Sequence, residues 1–465
     1  MDILLTHGYF LADDAREREI MRPYAPLGLL HLSAWLKQQG FSVAVADATF
    51  ASVAEIEARI ERERPPVVGI YGNLMTRGNV VRLARAAGAA GARVILGGPE
   101  PSSYPEEFLA RGADAIVVGE GEQTLEELLG ALRTHGPHRL ERVAGVIYRD
   151  EKGQVRRTPP RGVIKNLDDL PDPDRAAIDQ MRYVETWRRH HGAGSISLLT
   201  ARGCPFTCEW CSHEVYGRTH RRRSVGRVVA EIERIRERYG PDQLWIADDV
   251  FTIGHGWLFE FARQMRERGL TLPFECISRA DRMNAEVVEA LAALRCRRIW
   301  IGSESGSQRI LDAMRRGVTV EQVRRAVELA RRHGIEVGMF LMWGYEGEER
   351  ADVEATIAHV GDTSPDAFLT TIAYPIKGTP YHAATDGRRR EPPDWENGSD
   401  RQIAIAGRFS RRFYSFADRR LSSRLEIGRA RARGGATAWT HRWRHELRDR
   451  FYRLAMSLHS GRGVT

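Results

Sequence analysis

The chain has 465 residues, of which 42% are apolar and 28% charged, with a formal net charge of +8 and an isoelectric point near 9.4. That length exceeds one ordinary core, and the absence of a long uncharged apolar run excludes a membrane-crossing helix. The positive charge could suggest a nucleic-acid partner, but 66 of the 70 basic residues are arginine, which looks like a composition bias across the chain as much as a binding surface.

Residues 1–150 alternate short apolar runs with amphipathic segments. Met1–Leu5 has an acidic second residue and no basic stretch, and reads as a buried strand rather than a signal peptide. Strands are expected at Asp2–Thr6, Ser42–Ala46, Val67–Tyr71, Val94–Leu96 and Ala115–Val118. Helices are expected at Leu27–Gln39, Val53–Glu63 and Val80–Ala90. This rhythm predicts a parallel, doubly wound, flavodoxin-like sheet with its ligand at the carboxyl ends of the strands. The loops there carry glycines: Gly72-Asn73, Gly97-Gly98 and Gly119-Glu120-Gly121-Glu122. Each is either a plain tight turn or a place where backbone approaches a ligand.

Residues 151–194 hold prolines and aspartates with little periodicity, and read as a linker. The α/β rhythm resumes over 195–385. Strands are expected at Ser195–Thr200, Gln243–Ala247, Phe274–Ser278, Arg298–Gly302, Glu336–Met342 and Ala367–Ala373. Helices are expected at Val225–Arg238, Gly256–Arg268 and Val320–His333. Six β/α units predict a barrel or partial barrel with its chemistry at the strand carboxyl ends. Polar residues recur at those ends: Asp248, Arg279, Glu304 and the Gly344-Tyr345-Glu346 turn. Any one could cap a helix, but their recurrence favours a shared ligand.

The cysteines are the sharpest signal. Cys204, Cys208 and Cys211 form C-x3-C-x2-C just after the first strand of this second half. Three thiolates in one loop can hold three irons of a [4Fe–4S] cube and leave the fourth open. A structural zinc site is the competing reading, with His213 as fourth ligand, although the C-x-H step is tight for tetrahedral closure. Cys276 and Cys296, in apolar segments, are expected to be packed thiols, and so few cysteines fit a reducing cytoplasm.

The triplet, with Trp210 before its last cysteine, resembles the radical S-adenosylmethionine superfamily. The resemblance implies that the open iron binds the amino and carboxylate groups of S-adenosylmethionine. It implies that Trp210 lies against the adenine and that Glu304 in Ser303-Glu304-Ser305-Gly306 meets the ribose, with Gly344-Tyr345-Glu346 and Gly378-Thr379-Pro380 at the adenine. Pro26–Ala34, Gly97-Gly98-Pro99-Glu100 and Gly119-Glu120-Gly121-Glu122 resemble the cobalamin-binding domain that precedes the radical domain in cobalamin-dependent members. No Asp-x-His-x-x-Gly motif is present, so the implied cobalamin has no histidine on cobalt, and His7 is a poor substitute.

The implied reaction is methylation of an unactivated carbon of a small molecule. One S-adenosylmethionine supplies the methyl group through cobalamin. A second, cleaved at the reduced cluster, supplies a 5′-deoxyadenosyl radical that removes the hydrogen. An external electron donor of flavodoxin or ferredoxin type is implied. A non-methylating oxidative cyclase is the alternative. A methylthiotransferase is disfavoured because residues 1–150 contain no cysteine, and a simple corrinoid carrier would leave the triplet idle.

Residues 386–465 read as a basic helical tail, with 16 arginines against 4 acidic residues over 401–465. Arginines interleaved with aromatics suit single-stranded nucleic acid or an acidic lipid surface. The favoured expectation is helices that cap the partial barrel, with Phe409, Phe413 and Phe416 on the core face.

Overall fold

The computed structural model describes residues 1–135, 140–433 and 436–461. These form two compact units: one of 1–205, 212–245 and 393–399, the other of 206–211, 246–392 and 400 onward. The chain therefore passes from one unit to the other and back inside the cysteine loop.

The first unit is built on a seven-stranded sheet. Its strands are β1 (Ile3–His7), β2 (Val43–Ala46), β3 (Val67–Tyr71), β4 (Arg93–Gly97), β5 (Ala115–Val117), β6 (Val146–Arg149) and β7 (Val155–Arg157), in the order β2-β1-β3-β4-β5-β6-β7. The first five run parallel. Helices α1 (Leu27–Gln38), α2 (Val53–Glu63), α3 (Arg77–Ala89) and α4 (Gly121–His135) connect them. All of β1 is buried, as a strand covered on both faces must be. Leu4, Ile56, Val80 and Leu83 pack on one face, and Leu5, Leu29, Leu36 and Leu128 on the other. Local chemistry supports α2: Ser52 Oγ accepts from Glu55 N while Glu55 accepts from Ser52 N, a reciprocal cap.

Two features differ from the sequence expectation. The sheet is not wholly parallel, because β6 and β7 add antiparallel to β5. Asp150 Oδ1 closes their turn by accepting from Lys152 N and Gln154 N, and the polar Val155-Arg156-Arg157 run gave no apolar alternation to read. The expected linker also contains a helix, α5 (Gln180–His191). Asp179 caps its start, Gly192 ends it in the left-handed region, and only Tyr183, Val184 and Trp187 supply a buried apolar face.

The six strands expected after residue 195 are all present. β8 (Ser195–Leu198) lies in the first unit and β11 (Gln243–Ile246) ends where the second begins. Between them β9 (Ala201–Arg202) and β10 (Arg221–Arg222) pair antiparallel. In the second unit β12 (Phe274–Ser278), β13 (Cys296–Glu304), β14 (Glu336–Trp343) and β15 (Ala367–Ile372) pair in parallel in that order. The strand β13 is longer than expected and runs through Glu304 itself. Helices α6 (Val225–Tyr239), α7 (His255–Glu267), α8 (Ala285–Ala293), α9 (Val320–Arg332) and α10 (Arg350–Thr363) fill the intervals.

The tail is helical, with α11 (Arg411–Arg433) and α12 (Ala436–Leu458). Phe413 and Tyr414 are buried, Trp343 Nε1 donates to Asp418 at 2.7 Å, and Arg420 reaches Glu354 on α10 and Asp449 on α12. Phe409, just before α11, and Phe413 on it are buried as expected, whereas Phe416 is only half-buried. Among the described residues no helix is long and apolar enough to cross a membrane.

Candidate cofactor sites

The carboxyl ends of β1, β3, β4 and β5 open on one cavity of about 750 Å³, part of it open to solvent. Its walls are largely aliphatic and glycine, with Tyr71, Tyr216, Glu120, Glu122 and Arg202 among them. Gly98 shows why glycine is needed: its φ is +101°, and a Cβ there would stand 2.3 Å from the Gly72 carbonyl oxygen.

Of the loop residues expected at a ligand, Gly97, Gly98, Gly119, Glu120, Gly121 and Glu122 line this cavity; Gly72 and Asn73 do not. Those two build a turn, Gly72 N donating to Gly97 O at 2.9 Å and Asn73 Oδ1 accepting from Met75 N at 2.9 Å. His7 is also outside the lining. Its Nε2 lies 3.1 Å from Asp47, and its Nδ1 accepts from Tyr9 N. Among the described residues no histidine lines the cavity.

The two glutamates are not free to meet a ligand. Arg202 donates from Nη1 to Glu120 at 2.8 Å and from Nη2 to Glu122 at 2.5 Å, all three being buried. Arg221 Nη1 takes the other oxygen of Glu120 at 2.7 Å, and Ile164 N donates to it at 2.8 Å. Two carboxylates against two guanidiniums, with backbone support, satisfy one another out of water. Sequence reasoning missed Arg202 and Tyr216 as wall residues. Arg202 sits there at the end of β9, before the cysteine loop, and Tyr216 because the chain returns to this unit after it; no strand-end signal marks either.

Gly203, between Arg202 and Cys204, has φ +84°, and a Cβ on it would meet Thr219 O at 2.4 Å. Cys204 follows and is half-buried.

In the second unit Cys208 is buried, with Arg316 Nη1 3.7 Å and Arg279 Nη1 3.9 Å from its sulfur. The Cys211 thiol donating to it, together with the two guanidiniums, holds the Cys208 thiol well below the ordinary range against the effect of burial. The same hydrogen bond and burial push Cys211 up. Arg279 is fixed by Asp281 at 2.9 Å and by the Arg316 carbonyl at 2.9 Å, and it lies 3.6 Å above the Phe206 ring. Arg316 had no sequence signal.

Glu304 ends β13 with φ +58°, a strained conformation for this residue, and is buried. Burial pushes its carboxyl up to about 7, with the Cys208 charge adding and Arg316, 3.8 Å away, opposing. Gly344 N donates to Glu348 at 2.8 Å. Tyr345 stacks on Tyr381 at 4.6 Å, and Trp210 meets Tyr345 edge-on at 6.3 Å. Thr379 caps the short helix that carries Tyr381, whose N donates to Glu209 O at 3.0 Å. The structure thus gathers Trp210, Tyr345 and the turn after β15 beside the cysteine segment. Asp248 is buried, and its charge acts on Cys276. Burial, with Cys296 and Asp248 alongside, pushes the Cys276 thiol up, and both cysteines are packed as expected.

Residues 198–360 match the radical SAM superfamily and residues 19–129 the B12 binding domain. The chain is 30% identical over 377 residues to an uncharacterized methyltransferase of Pyrococcus horikoshii, covering 79% of this chain and 80% of that protein. The chain belongs to the cobalamin-dependent radical S-adenosylmethionine enzymes. An anaerobic magnesium-protoporphyrin IX monomethyl ester cyclase of Rubrivivax gelatinosus is 27% identical, over 79% of this chain and 66% of the cyclase. The structure of the radical S-adenosylmethionine methyltransferase TsrM from Kitasatospora setae shows the same fold. Its TM-score is 0.69 at 23% identity, over 84% of this chain and 76% of that one.

On these relatives the enzyme is a methyltransferase whose cofactors are a [4Fe–4S] cluster, S-adenosylmethionine and cobalamin. The residues fit those groups. Three thiols in one loop, with two guanidiniums against Cys208 to offset thiolate charge, suit a cluster that leaves one iron to an outside ligand. A glycine-rich cavity whose lining holds no histidine suits a flat macrocycle approached closely by backbone.

Proposed function

We propose that this enzyme methylates an unactivated carbon of a small molecule. The observation that carries the reading is one chain in which a glycine-lined cavity at parallel strand ends precedes a three-cysteine loop with one metal position to spare. Cys204, Cys208 and Cys211 would hold the cluster, which when bound supplies the electron that cleaves S-adenosylmethionine. Gly97, Gly98, Gly119 and Gly121 would bear cobalamin, which when bound supplies the methyl group.

The chain's own residues bind and orient. Arg279 and Arg316 offset the Cys208 thiolate. Trp210 and Tyr345 offer aromatic faces to an adenine, and Glu304 offers acceptors to ribose hydroxyls. Arg202 and Arg221 balance Glu120 and Glu122 in the wall, so the charges there are paired within the protein. A flavodoxin or ferredoxin type of electron donor, a cytoplasmic setting, and domain bounds near 150, 195 and 385 belong to the same proposal.

The test is anaerobic reconstitution with iron, sulfide and cobalamin, then turnover with reductant and methyl-deuterated S-adenosylmethionine. Both S-adenosylhomocysteine and 5′-deoxyadenosine are expected, with label in the product. Failure to retain cobalamin would refute the proposal. The Rubrivivax relative supports a second reading, a non-methylating cyclisation, which would give deoxyadenosine without homocysteine product.

A further inference from the structure

Six large apolar side chains on α12 are exposed: Trp439, Trp443, Leu447, Phe451, Leu454 and Leu458, each between 45% and 76%. At 3.6 residues per turn they fall within an arc of about 120°, in a ridge about 28 Å long. Asp449 and Met456 lie on the far side of the helix and are buried, and Ala455, also buried, lies just past one edge of the ridge. Asp449 there binds Arg420 and Arg424 on α11, and His441 approaches Glu426, whose other oxygen is held by Arg429 at 2.9 Å. The inner face is therefore already occupied, and the ridge is a second apolar face that the fold does not use.

Arginines border that ridge. At about 100° per residue, Arg453 flanks one edge, Arg444 and Arg448 lie beyond the other, and Arg450 stands within the arc. Among the described residues none of these four makes an ion pair. An apolar ridge with tryptophans at one end and unpaired cations along both sides matches a layer that is apolar inside and anionic at its surface. The long arginine stems can lie along the apolar layer while their heads stay with the phosphates. A second copy of this helix is a poor occupant, because it would bring the same arginines against these. No helix of the described residues can cross a bilayer, so the mode of contact is lying on it.

We propose that α12 seats this ridge in the headgroup layer of an anionic lipid bilayer. The contact would place the enzyme at a membrane surface without spanning it.

The full-length holoenzyme is sedimented with unilamellar vesicles of phosphatidylcholine alone, or of phosphatidylcholine with a third phosphatidylglycerol. Binding at least about tenfold stronger to the anionic vesicles is expected, weakened by high salt. The triple variant W443E/F451E/L454E alters only exposed positions and should lose binding while keeping its cobalt and iron content. The variant R444E/R448E should keep weak binding but lose the preference for phosphatidylglycerol. Three results would overturn the proposal: no vesicle binding by the wild type, a dimer in light scattering that the triple variant dissolves, or single-stranded RNA binding that the triple variant abolishes.

Discussion

Arg202 donates to Glu120 at 2.8 Å with both side chains buried, and it stands two residues before Cys204. One side chain thus holds the wall of the glycine-lined cavity and the first limb of the cysteine loop in the same position. Its fork spans two carboxylates, since the second nitrogen takes Glu122. Replacing Arg202 by Met leaves both glutamates buried, with Arg221 alone to offset them. Losing one partner of a buried ion pair typically costs about 3–5 kcal/mol. Arg202→Met should lower the melting temperature and reduce both retained cobalamin and iron content, whereas Arg202→Lys should recover only part. Normal corrinoid retention by the Met variant would contradict this role.

Gly203 gives a second, purely steric prediction. Its φ of +84° and the 2.4 Å that a Cβ would keep from Thr219 O leave no room for a methyl group. Gly203→Ala should strain the backbone by on the order of 1–3 kcal/mol and shift Cys204, which follows it. The expected result is a folded protein by circular dichroism with less than full iron loading. Full loading at wild-type stability would show that the loop can relax.

Cys204, Cys208 and Cys211 to Ala should each abolish the iron–sulfur absorbance after reconstitution. Cobalamin retention should survive, because the cavity lining contains none of the three. Cys276→Ser and Cys296→Ser provide the contrast. Both are buried thiols in the second unit, so each should cost stability but leave the cluster spectrum intact. A cluster that persists in any of the first three would reopen the ligand assignment.

Much of this was legible because the relevant signals are local. The run Val67–Tyr71 is apolar throughout, Val53–Glu63 carries an amphipathic helical pattern, and the cysteines sit in one loop. What stayed hidden depends on distant partners. Arg202 meets Glu120 across 82 positions and Arg316 meets Cys208 across 108, and neither pairing leaves a periodic trace. The glutamates at 120 and 122 stood out as strand-end acids, the pattern of ligand groups, yet tertiary arginines take them for the wall. The helix α5 was missed for a different reason: its Arg- and His-rich sequence shows only three buried apolar positions. The opposite case is α12, whose apolar residues are plain in the sequence but face outward.

Glu304 makes the pH dependence testable. Burial raises its carboxyl to about 7 from an ordinary value of 4.5, so the folded protein holds a proton that the unfolded chain has released over that interval. The stabilisation is full below about 4.5 and is lost as the pH climbs through about 7. The loss amounts to on the order of 3 kcal/mol if no other group compensates. Glu304→Gln keeps the shape and cannot ionise. In the cluster-free protein, wild type and variant should have similar stability near pH 5, and the variant should become the more stable of the two by pH 8. Denaturant unfolding at both pH values measures the difference directly. If the gap between the two proteins does not change with pH, Glu304 is already ionised in the folded chain, and its carboxylate is compensated by Arg316 more fully than a separation of 3.8 Å implies.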